Sequence, residues 1–501
     1  MSSNFWKNGV LFTVVGLVMR GSAVFLGAFI SRNIGAEGIG LYTIIMTVYS
    51  FAVTFATSGI NLTVTRLVAS AVGEGRPEGA VSVVSASIIY SLSFSMIATL
   101  GLFIGADFLG GIILSDNRTI IAIRVLSLSL IPVSLSAVLS GYFVGVKRVS
   151  SNAVMSVVCQ LLKIIITVAV VYYLAPYGMV KMVIGICACV TVTEILGFLL
   201  IFFEFLYDRR KHTIKTFDKS VKLSTVSRAA LPLAFSSYVR SVLLNIEHIL
   251  IPRKLRERGE SGVEAYAHYG SLHGMALPLI TYPMSPLTSF SSLLVPEFAE
   301  DLSAGRRERM NRIASKAINT TLSYSVICAL LMFFFSENLG YVIYNSYEAG
   351  YYISVLAIVV PIMYLDHVTD SMLKGIGEQV FSMWVNITDS FLSVLLVCLL
   401  IPRMGIMGYA VVIVAMEGYN FLFSVGRLMK KITLKIDVIG SLLIPCLSTF
   451  LAIALSKIAF KSDGNTASSI LLIMQVIFAI SIVVFVLSGV EFIKKCKKQL
   501  S

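Results

Sequence analysis

Long apolar stretches alternate with short polar segments along the whole chain. Windows of about twenty apolar residues, the length at which a helix crosses a bilayer, recur roughly fourteen times. They begin near Val10, Leu41, Val81, Ile120, Ala153, Val183, Ala229, Tyr269, Ile318, Tyr351, Phe381, Gly408, Val438 and Ile470. This pattern predicts an all-α polytopic membrane protein with about 14 transmembrane helices.

The overall composition agrees with that pattern. Of the 501 residues, 57% are hydrophobic and 13% are charged, with a mean hydropathy of +0.87. A soluble chain would be about a quarter charged. The net charge of +13 lies in short basic clusters between apolar runs, which is typical of membrane loops and not of a nucleic-acid surface. We therefore expect no nucleic-acid partner.

The basic clusters predict the orientation of the chain. With the N-terminus inside, the cytoplasmic loops contain DRRKH at 208–212, GRRERMNR at 305–312 and the KKCKK tail. About 25 Lys and Arg then lie inside against about 10 outside, although RKLRER at 253–258 falls on the outer side. The bias predicts a protein of the bacterial cytoplasmic membrane with both termini in the cytoplasm.

The two halves of the chain are similar at an offset of about 220 to 230 residues. LIPVSLSAVLSGYFVGVKRV at 130–149 resembles VVPIMYLDHVTDSMLKGIGEQV at 359–380, and Gly178 and Glu194 recur as Gly405 and Glu417. Such symmetry is typical of transporters that alternate between two bundles, and gene duplication alone would also produce it. It predicts lobes at 1–207 and 229–435, joined by a basic linker at 208–228 and followed by two further spans and a tail at 436–501.

Several spans carry polar residues along one side, and three of them contain an arginine. Arg20 lies in an otherwise uncharged run, where an arginine at the helix centre costs roughly 2.5 to 3.5 kcal/mol. The candidates for contact with a substrate in these spans are Arg20, Asn61, Arg66, Arg240, Asn245 and His248. Small and hydroxylated residues also mediate helix packing. The arginines require more, namely a carboxylate, a water-filled cavity or an anionic ligand.

Acidic residues at membrane depth are candidates for ion coupling or for helix packing. They are Glu247, Asp366, Asp370, Asp389 and Glu417, with Glu194 in the first half. Asp370 and Lys374 lie one turn apart and could neutralise each other, and Lys163 is expected near a span end, where its side chain reaches the interface. No Walker A, G-x-S-x-G or H-E-x-x-H sequence is present, and the cysteines suggest neither a zinc site nor a disulfide framework. We therefore expect no catalytic residues and no bound metal or cofactor, and Na⁺ or H⁺ coupling remains open.

Three segments resemble a known superfamily. SRNIGAEGIGLYTIIMTVYSFAVTFATSGINLTVTRLVAS at 31–70, SRAALPLAFSSYVRSVLLNIEHILIPRKL at 227–255 and MSPLTSFSSLLVPEFAE at 284–300 are similar to the polysaccharide-biosynthesis branch of the multidrug/oligosaccharidyl-lipid/polysaccharide (MOP) exporters, which includes the MATE transporters. Within it, the chain resembles the stage V sporulation protein B group, a relative of the lipid II flippase MurJ.

The resemblance implies two six-helix lobes around a central cavity, with two additional C-terminal helices. It implies a flippase that moves undecaprenyl-diphosphate sugars across the membrane by alternating access, with Arg20, Arg66 and Arg240 holding the diphosphate. Its expected partners are a polyprenyl-diphosphate-linked glycan, membrane lipids and cell-wall synthesis proteins. A MATE-like drug/cation antiporter is the alternative. A third alternative is a polytopic glycosyltransferase or polymerase. It would need a catalytic carboxylate in a sizeable extramembrane loop or domain, and the longest loops here are short, basic and poor in carboxylates.

Overall fold

The computed structural model is helical throughout, with no strand among the residues it describes. Those residues are 3–57, 59–73, 77–146, 148–211 and 223–459, together with five between 475 and 483. The side chains before Met19 and that of Arg20 are outside the description. Most of the predicted linker, the predicted last span and the basic tail also lie outside it.

Apolar helices of membrane-spanning length dominate the described chain. Eight segments are long and apolar enough to cross a bilayer, or up to ten if each of two bent helix pairs is one span. The prediction of an all-α multi-pass membrane protein is confirmed. The predicted total of about fourteen spans stays a prediction, since the described residues do not cover the whole chain.

The chain divides into two compact units, Met1–Gly270 and Ser271–Ser501. The helices of the first unit are α1 (Ser3–Thr57), α2 (Ile60–Gly73), α3 (Pro77–Ile104), α4 (Ala106–Phe108), α5 (Thr119–Ser127), α6 (Leu130–Gly145), α7 (Val149–Leu174), α8 (Met179–Lys211), α9 (Leu223–Glu257) and α10 (Gly262–Tyr269). Those of the second unit are α11 (Leu277–Thr281), α12 (Ser285–Ser303), α13 (Arg307–Phe334), α14 (Ser336–Tyr344), α15 (Tyr347–Ala357), α16 (Val360–Gly375), α17 (Gln379–Met404), α18 (Ile406–Met429) and α19 (Ile444–Ala459).

The internal repeat predicted from the sequence recurs in the helix bounds. Helices α3 and α13 are both 28 residues long and begin at positions 77 and 307. Helices α6 and α16 are both 16 residues long and begin at 130 and 360. Helices α7 and α17 are both 26 residues long and begin at 149 and 379. Over this stretch the two units are therefore built from one pattern, because all three pairs of helices start at the same offset.

The bent helices recur as well. The pair α5 and α6 bends by 41°, and the corresponding pair α15 and α16 bends by 59°. After α7 and α17 the chain turns at Gly178 (φ 92°) and Gly405 (φ 63°), a backbone conformation that favours glycine. The glycines that the sequence comparison paired thus end the same element in each unit.

Three predicted spans are less regular than the sequence pattern suggested. Helix α1 contains the first two predicted spans in one helical segment, which is broken at Gly35 (φ 72°). The predicted eighth span is divided between α11, a short 3₁₀ turn and α12, because a proline lies at the start of each of these pieces. A proline cannot donate the backbone hydrogen bond that a continuous helix needs at that point.

Helix α9, the predicted seventh span, belongs to the first compact unit. It packs against α1, α2, α3 and α10. The compact units therefore divide later in the chain than the predicted lobes, and the lobe boundaries at 207 and 229 stay a prediction. A core of mainly aliphatic and aromatic side chains holds α2, α3 and α6 together, with Val64, Val84 and Tyr142 among its buried members.

Candidate substrate and ion sites

The first unit contains a cavity of ≈ 380 Å³ that is lined by residues of α1, α2, α6, α7 and α8. More than half of its lining residues are polar or charged. The polar and charged lining residues are Thr57, Asn61, Ser136, Ser140, Ser156, Gln160, Lys163, Thr193 and Glu194. Apolar contributions come from Met19, Val133 and Ile201. The cavity therefore offers many hydrogen-bonding groups within a membrane-embedded unit.

Asn61, one of the predicted substrate contacts, lies in the wall of this cavity where α2 crosses α6. Its Nδ2 donates to the carbonyl of Ala137 at 3.1 Å. Thr65 Oγ1 donates to the carbonyls of Asn61 and Gly141, at 2.9 and 3.2 Å. A Cβ on Gly141 would come within 2.7 Å of the Asn61 carbonyl oxygen. The glycine allows α2 and α6 to approach closely enough for these bonds to position Asn61.

Lys163 and Glu194 both line the cavity, from α7 and α8 respectively. Both are far from the ends of helices that run Val149–Leu174 and Met179–Lys211. The prediction that Lys163 lies near a span end is therefore wrong, since α7 continues in both directions. Within the described part of the chain, neither side chain forms a hydrogen bond or a salt bridge. The charged groups of this cavity were visible in the sequence only as isolated intramembrane residues.

The predicted arginines are distributed over three helices of the first unit. Arg20 lies in α1, and its side chain is outside the described residues. Arg66 on α2 and Arg240 on α9 are exposed, and α2 packs against α9. In the described ranges, neither of these two guanidinium groups has a carboxylate partner. Arg240, expected in the second lobe, therefore lies in the same compact unit as Arg66.

The other predicted contacts on α9 differ in their surroundings. The Nδ2 of Asn245 donates to the carbonyl of Ser241 within the helix, at 2.7 Å. Glu247 is buried, and the ring of the half-buried His248 lies 6.3 Å from that of Tyr269. The ring contact of His248 joins the middle of α9 to α10, whereas the hydrogen bond of Asn245 lies within α9. A role of Asn245, Glu247 or His248 in binding stays a prediction.

The second unit brings four of the predicted acidic residues together. Asp366 and Asp370 lie on α16, Asp389 on α17 and Glu417 on α18. Asp366 is close enough to Asp370 and Asp389 to interact electrostatically with both, and Glu417 interacts in the same way with Asp366 and Asp389. This group is called the acidic cluster below.

One member of the acidic cluster is already neutralised. The Nζ of Lys374 lies 2.6 Å from Oδ2 of Asp370, one turn away on α16. The predicted pairing is confirmed. Among the described residues, no group of three or more His, Cys, Asp or Glu side chains is arranged to hold a metal ion. The acidic cluster is therefore no preformed metal centre, and the ion pair with Lys374 distinguishes Asp370 from the three other carboxylates.

The cavity and the acidic cluster occupy corresponding places in the two units. The common offset between the starts of α6 and α16, and between those of α7 and α17, relates them position by position. The corresponding residues are Ser136 and Asp366, Ser140 and Asp370, Cys159 and Asp389, and Lys163 and Ser393. At these four positions the first unit carries two hydroxyls, a thiol and a lysine, whereas the second carries three carboxylates and a hydroxyl. Glu194 and Glu417, which the repeat also pairs, are acidic in both units.

The helices, their duplication and the polar groups buried within each unit define a polytopic membrane transport protein. The chain belongs to the family described as polysaccharide biosynthesis protein, whose profile matches residues 5–301. The MatE profile matches residues 271–400. The predicted membership of the MOP superfamily is confirmed.

Curated relatives from Bacillus subtilis (strain 168) agree with this assignment. Stage V sporulation protein B is 25% identical over 417 residues, which cover 82% of this chain and 80% of that protein. Lipid II flippase MurJ is 23% identical over 339 residues, 61% of this chain and 62% of that protein. As predicted, the chain belongs with transporters and not with enzymes.

Solved structures of the superfamily share the fold. The lipid II flippase MurJ in an inward closed conformation matches 97% of this chain and 100% of its own, with a TM-score of 0.71 and 14% identity. An inward-facing multidrug resistance MATE family transporter matches 83% of this chain and 98% of its own, with a TM-score of 0.65 and 16% identity. The predicted MATE/MOP-like fold is thereby confirmed.

Proposed function

We propose that the protein is a flippase that moves a polyprenyl-diphosphate-linked glycan across the bacterial cytoplasmic membrane by alternating access, with both termini in the cytoplasm. The observation that carries this proposal is the pair of exposed guanidinium groups of Arg66 and Arg240, on packed helices of one unit and without a carboxylate partner in the described chain. A diphosphate supplies the missing negative charge.

Arginine is suited to this ligand for geometric reasons. Its planar fork stays ionised and donates two parallel hydrogen bonds to phosphate oxygens, which a lysine ammonium cannot do. An anion in contact with the arginines also offsets the cost of holding them at membrane depth. Arg20 on α1 is the third member of the proposed diphosphate site, as the resemblance implies.

The class of substrate follows from the family and the relatives. The family is one of polysaccharide biosynthesis, and one relative is a lipid II flippase. Lipid II, a sporulation-cortex precursor and an exopolysaccharide repeat unit all present a diphosphate to the same arginines. Membrane lipids surround the polyprenyl tail, and cell-wall synthesis proteins are the proposed suppliers and consumers of the glycan.

The acidic cluster supports a second part of the proposal, coupling to Na⁺ or H⁺. Asp366, Asp389 and Glu417 interact with one another inside the second unit. Neighbouring carboxylates repel each other when all are ionised, so that they favour uptake of a proton or a cation. Binding there would let an ion gradient bias one conformation of the transporter over the other.

The proposal is tested by flipping in proteoliposomes. Labelled undecaprenyl-diphosphate sugar is supplied on one side, and its appearance on the other is followed for wild type, Arg20→Ala, Arg66→Ala and Arg240→Ala. Each variant is expected to lose at least tenfold in rate, which corresponds to about 1.4 kcal/mol. Arg403→Ala, which removes an exposed arginine at the end of α17, is the control. Wild-type rates in all three variants contradict the proposed diphosphate site.

A drug/cation antiporter is the second candidate. The acidic cluster and the MATE-type fold favour it, because organic cations bind to carboxylates. Efflux of a fluorescent cation from loaded proteoliposomes under a Na⁺ or pH gradient discriminates the two. If the protein exports the cation and moves no polyprenyl-diphosphate sugar, the antiporter is the correct function and the flippase proposal is wrong.

A further inference from the structure

The chemistry of the cavity in the first unit restricts what it can hold. Lys163 and Glu194 give it one positive and one negative group, and the remainder of its polar lining is mainly hydroxyl and amide. A metal cation would be repelled by Lys163, and a free anion by Glu194. Several of the polar lining residues, such as Asn61 and Thr193, already form hydrogen bonds within the protein. The half-buried side chains of Gln160, Lys163 and Glu194 are those that a ligand would meet, and an apolar ligand would desolvate them without replacing their bonds to water. A neutral ligand with several hydroxyl groups can bond to all three.

The size of the cavity further restricts which ligands it can hold. At ≈ 380 Å³ it lies near the small end of ligand pockets, which run from about 300 to 1,000 Å³. It can accept one ring with its substituents, and it is too small for a whole lipid-linked glycan. Hydroxyls and an amide on such a ring would meet donors such as Lys163 and Gln160, and acceptors such as Glu194.

The cavity and one of the arginines share a helix. Asn61, which lines the cavity, lies five positions before Arg66 on α2. Five residues advance a helix by about 7.5 Å and turn it by about 140°. The diphosphate and the long side chain of Arg66 would together bridge this separation when the sugar lies in the cavity.

We propose that the cavity lined by Asn61, Ser140, Gln160, Lys163 and Glu194 is a sugar subsite, which binds the first monosaccharide ring of the transported headgroup. This inference rests on the proposed function, because the ring is delivered by the diphosphate that the arginines hold. The proposed subsite in the first unit binds the sugar ring. The acidic cluster at the corresponding place in the second unit has too much negative charge to bind the same neutral ring.

Binding to two lipids tests the subsite. The full-length protein in nanodiscs is titrated with undecaprenyl diphosphate and with undecaprenyl diphosphate that carries one N-acetylhexosamine. Lys163→Met, Glu194→Leu and the double variant are compared with Lys181→Met and Glu204→Leu, which change the same residue types on α8 outside the cavity. A thermal melt of each variant checks folding.

Wild type is expected to bind the glycosylated lipid more tightly. The three cavity variants are expected to lose roughly tenfold for that lipid, about 1.4 kcal/mol, and to bind undecaprenyl diphosphate as wild type does. The double variant leaves the net charge of the cavity unchanged. Its loss of affinity for the glycosylated lipid therefore reflects missing hydrogen bonds and not a change in net charge.

Several results would overturn the subsite. Recognition of a sugar ring is excluded if the cavity variants bind both lipids more weakly to the same extent, or if the double variant binds as wild type does. It is also excluded if wild type has the same affinity for the two lipids. Gln160→Leu provides a second test that changes no charge. If the subsite is correct, this variant must also bind the glycosylated lipid more weakly while its binding of undecaprenyl diphosphate is unchanged. If wild type binds neither lipid, the proposed function itself fails, and that result is distinct from the others.

Discussion

Arg427 donates from Nε and Nη2 to one carboxylate oxygen of Glu378, at 3.1 and 2.8 Å. The same contact exists in the first unit with the charges exchanged, where Arg148 pairs with Asp208. The offset between the units aligns Glu378 with Arg148, each directly before the first residue of α17 and α7 respectively. Both pairs join that position to the end of the last helix of the repeat. The two units thus have an ion pair at the same place, with the positive and negative residues exchanged.

The pair of Glu378 and Arg427 should show a measurable coupling. In a double-mutant cycle with Glu378→Gln and Arg427→Gln, we expect a coupling free energy of about 1 kcal/mol, because the guanidinium is partly exposed and water screens the attraction. Thermal unfolding in detergent measures it. Strict additivity of the two single changes would show that the contact contributes nothing.

The same pair predicts a dependence on pH. Hydrogen bonds from Arg427, followed by those from Lys431, hold the pKa of Glu378 below its ordinary value. The pair therefore stabilises the folded state above the ordinary pKa of a glutamate, about 4.3, and this contribution is lost as the pH falls through the lower folded-state pKa. The difference in melting temperature between wild type and Glu378→Gln should be present at pH 7 and should shrink below about pH 4. A constant difference contradicts the assignment.

A close helix crossing in the first unit depends on Gly40. A Cβ at this position of α1 would overlap the backbone carbonyl of Tyr266 on α10. Because a backbone atom cannot move away as a side chain can, Gly40→Ala is expected to destabilise by about 1–3 kcal/mol. Gly27→Ala, on the same helix with nothing within 4 Å of its added Cβ, is the control. Equal melting temperatures for the two variants would exclude the close crossing.

Asp301 anchors the basic loop after α12. Its fully buried carboxylate lies 2.8 Å from Nε of Arg306 and 2.9 Å from Nη1 of Arg309. Asp301→Asn removes the charge that both bonds share, and we expect a loss of about 2 kcal/mol. Glu300→Gln breaks only an exposed pair with Arg306 and should cost under about 0.5 kcal/mol. Chemical denaturation of the two variants compares them, and a smaller effect at Asp301 than at Glu300 refutes the anchor.

The acidic cluster predicts which carboxylates matter for ion dependence. Asp366→Asn and Glu417→Gln should abolish any effect of a Na⁺ or pH gradient on flipping. Asp370→Asn should retain most of it, because Lys374 already neutralises Asp370. The rate of flipping is measured with and without each gradient. An unchanged gradient effect in Asp366→Asn and Glu417→Gln would remove the cluster from the coupling mechanism.

The order of helices and their duplication could be predicted from the sequence, because both depend on local properties. Twenty apolar residues suffice to cross the bilayer wherever they lie in the chain. The similarity of 130–149 to 359–380 predicted a repeat, and helices of equal length begin at corresponding positions of the two segments. The pairing of Asp370 with Lys374 was likewise visible, since residues four apart on a helix are neighbours.

Only the tertiary structure decided which distant residues share a site. Lys163 and Glu194 are separate charges in the sequence, and the packing of α7 on α8 brings both to one cavity. Helix α9 packs with the first unit, although the repeat assigned it to the second half. The spacing of polar residues along a helix indicates which of its faces is polar. Which helix packs against that face depends on close packing between distant segments, which no local sequence pattern encodes.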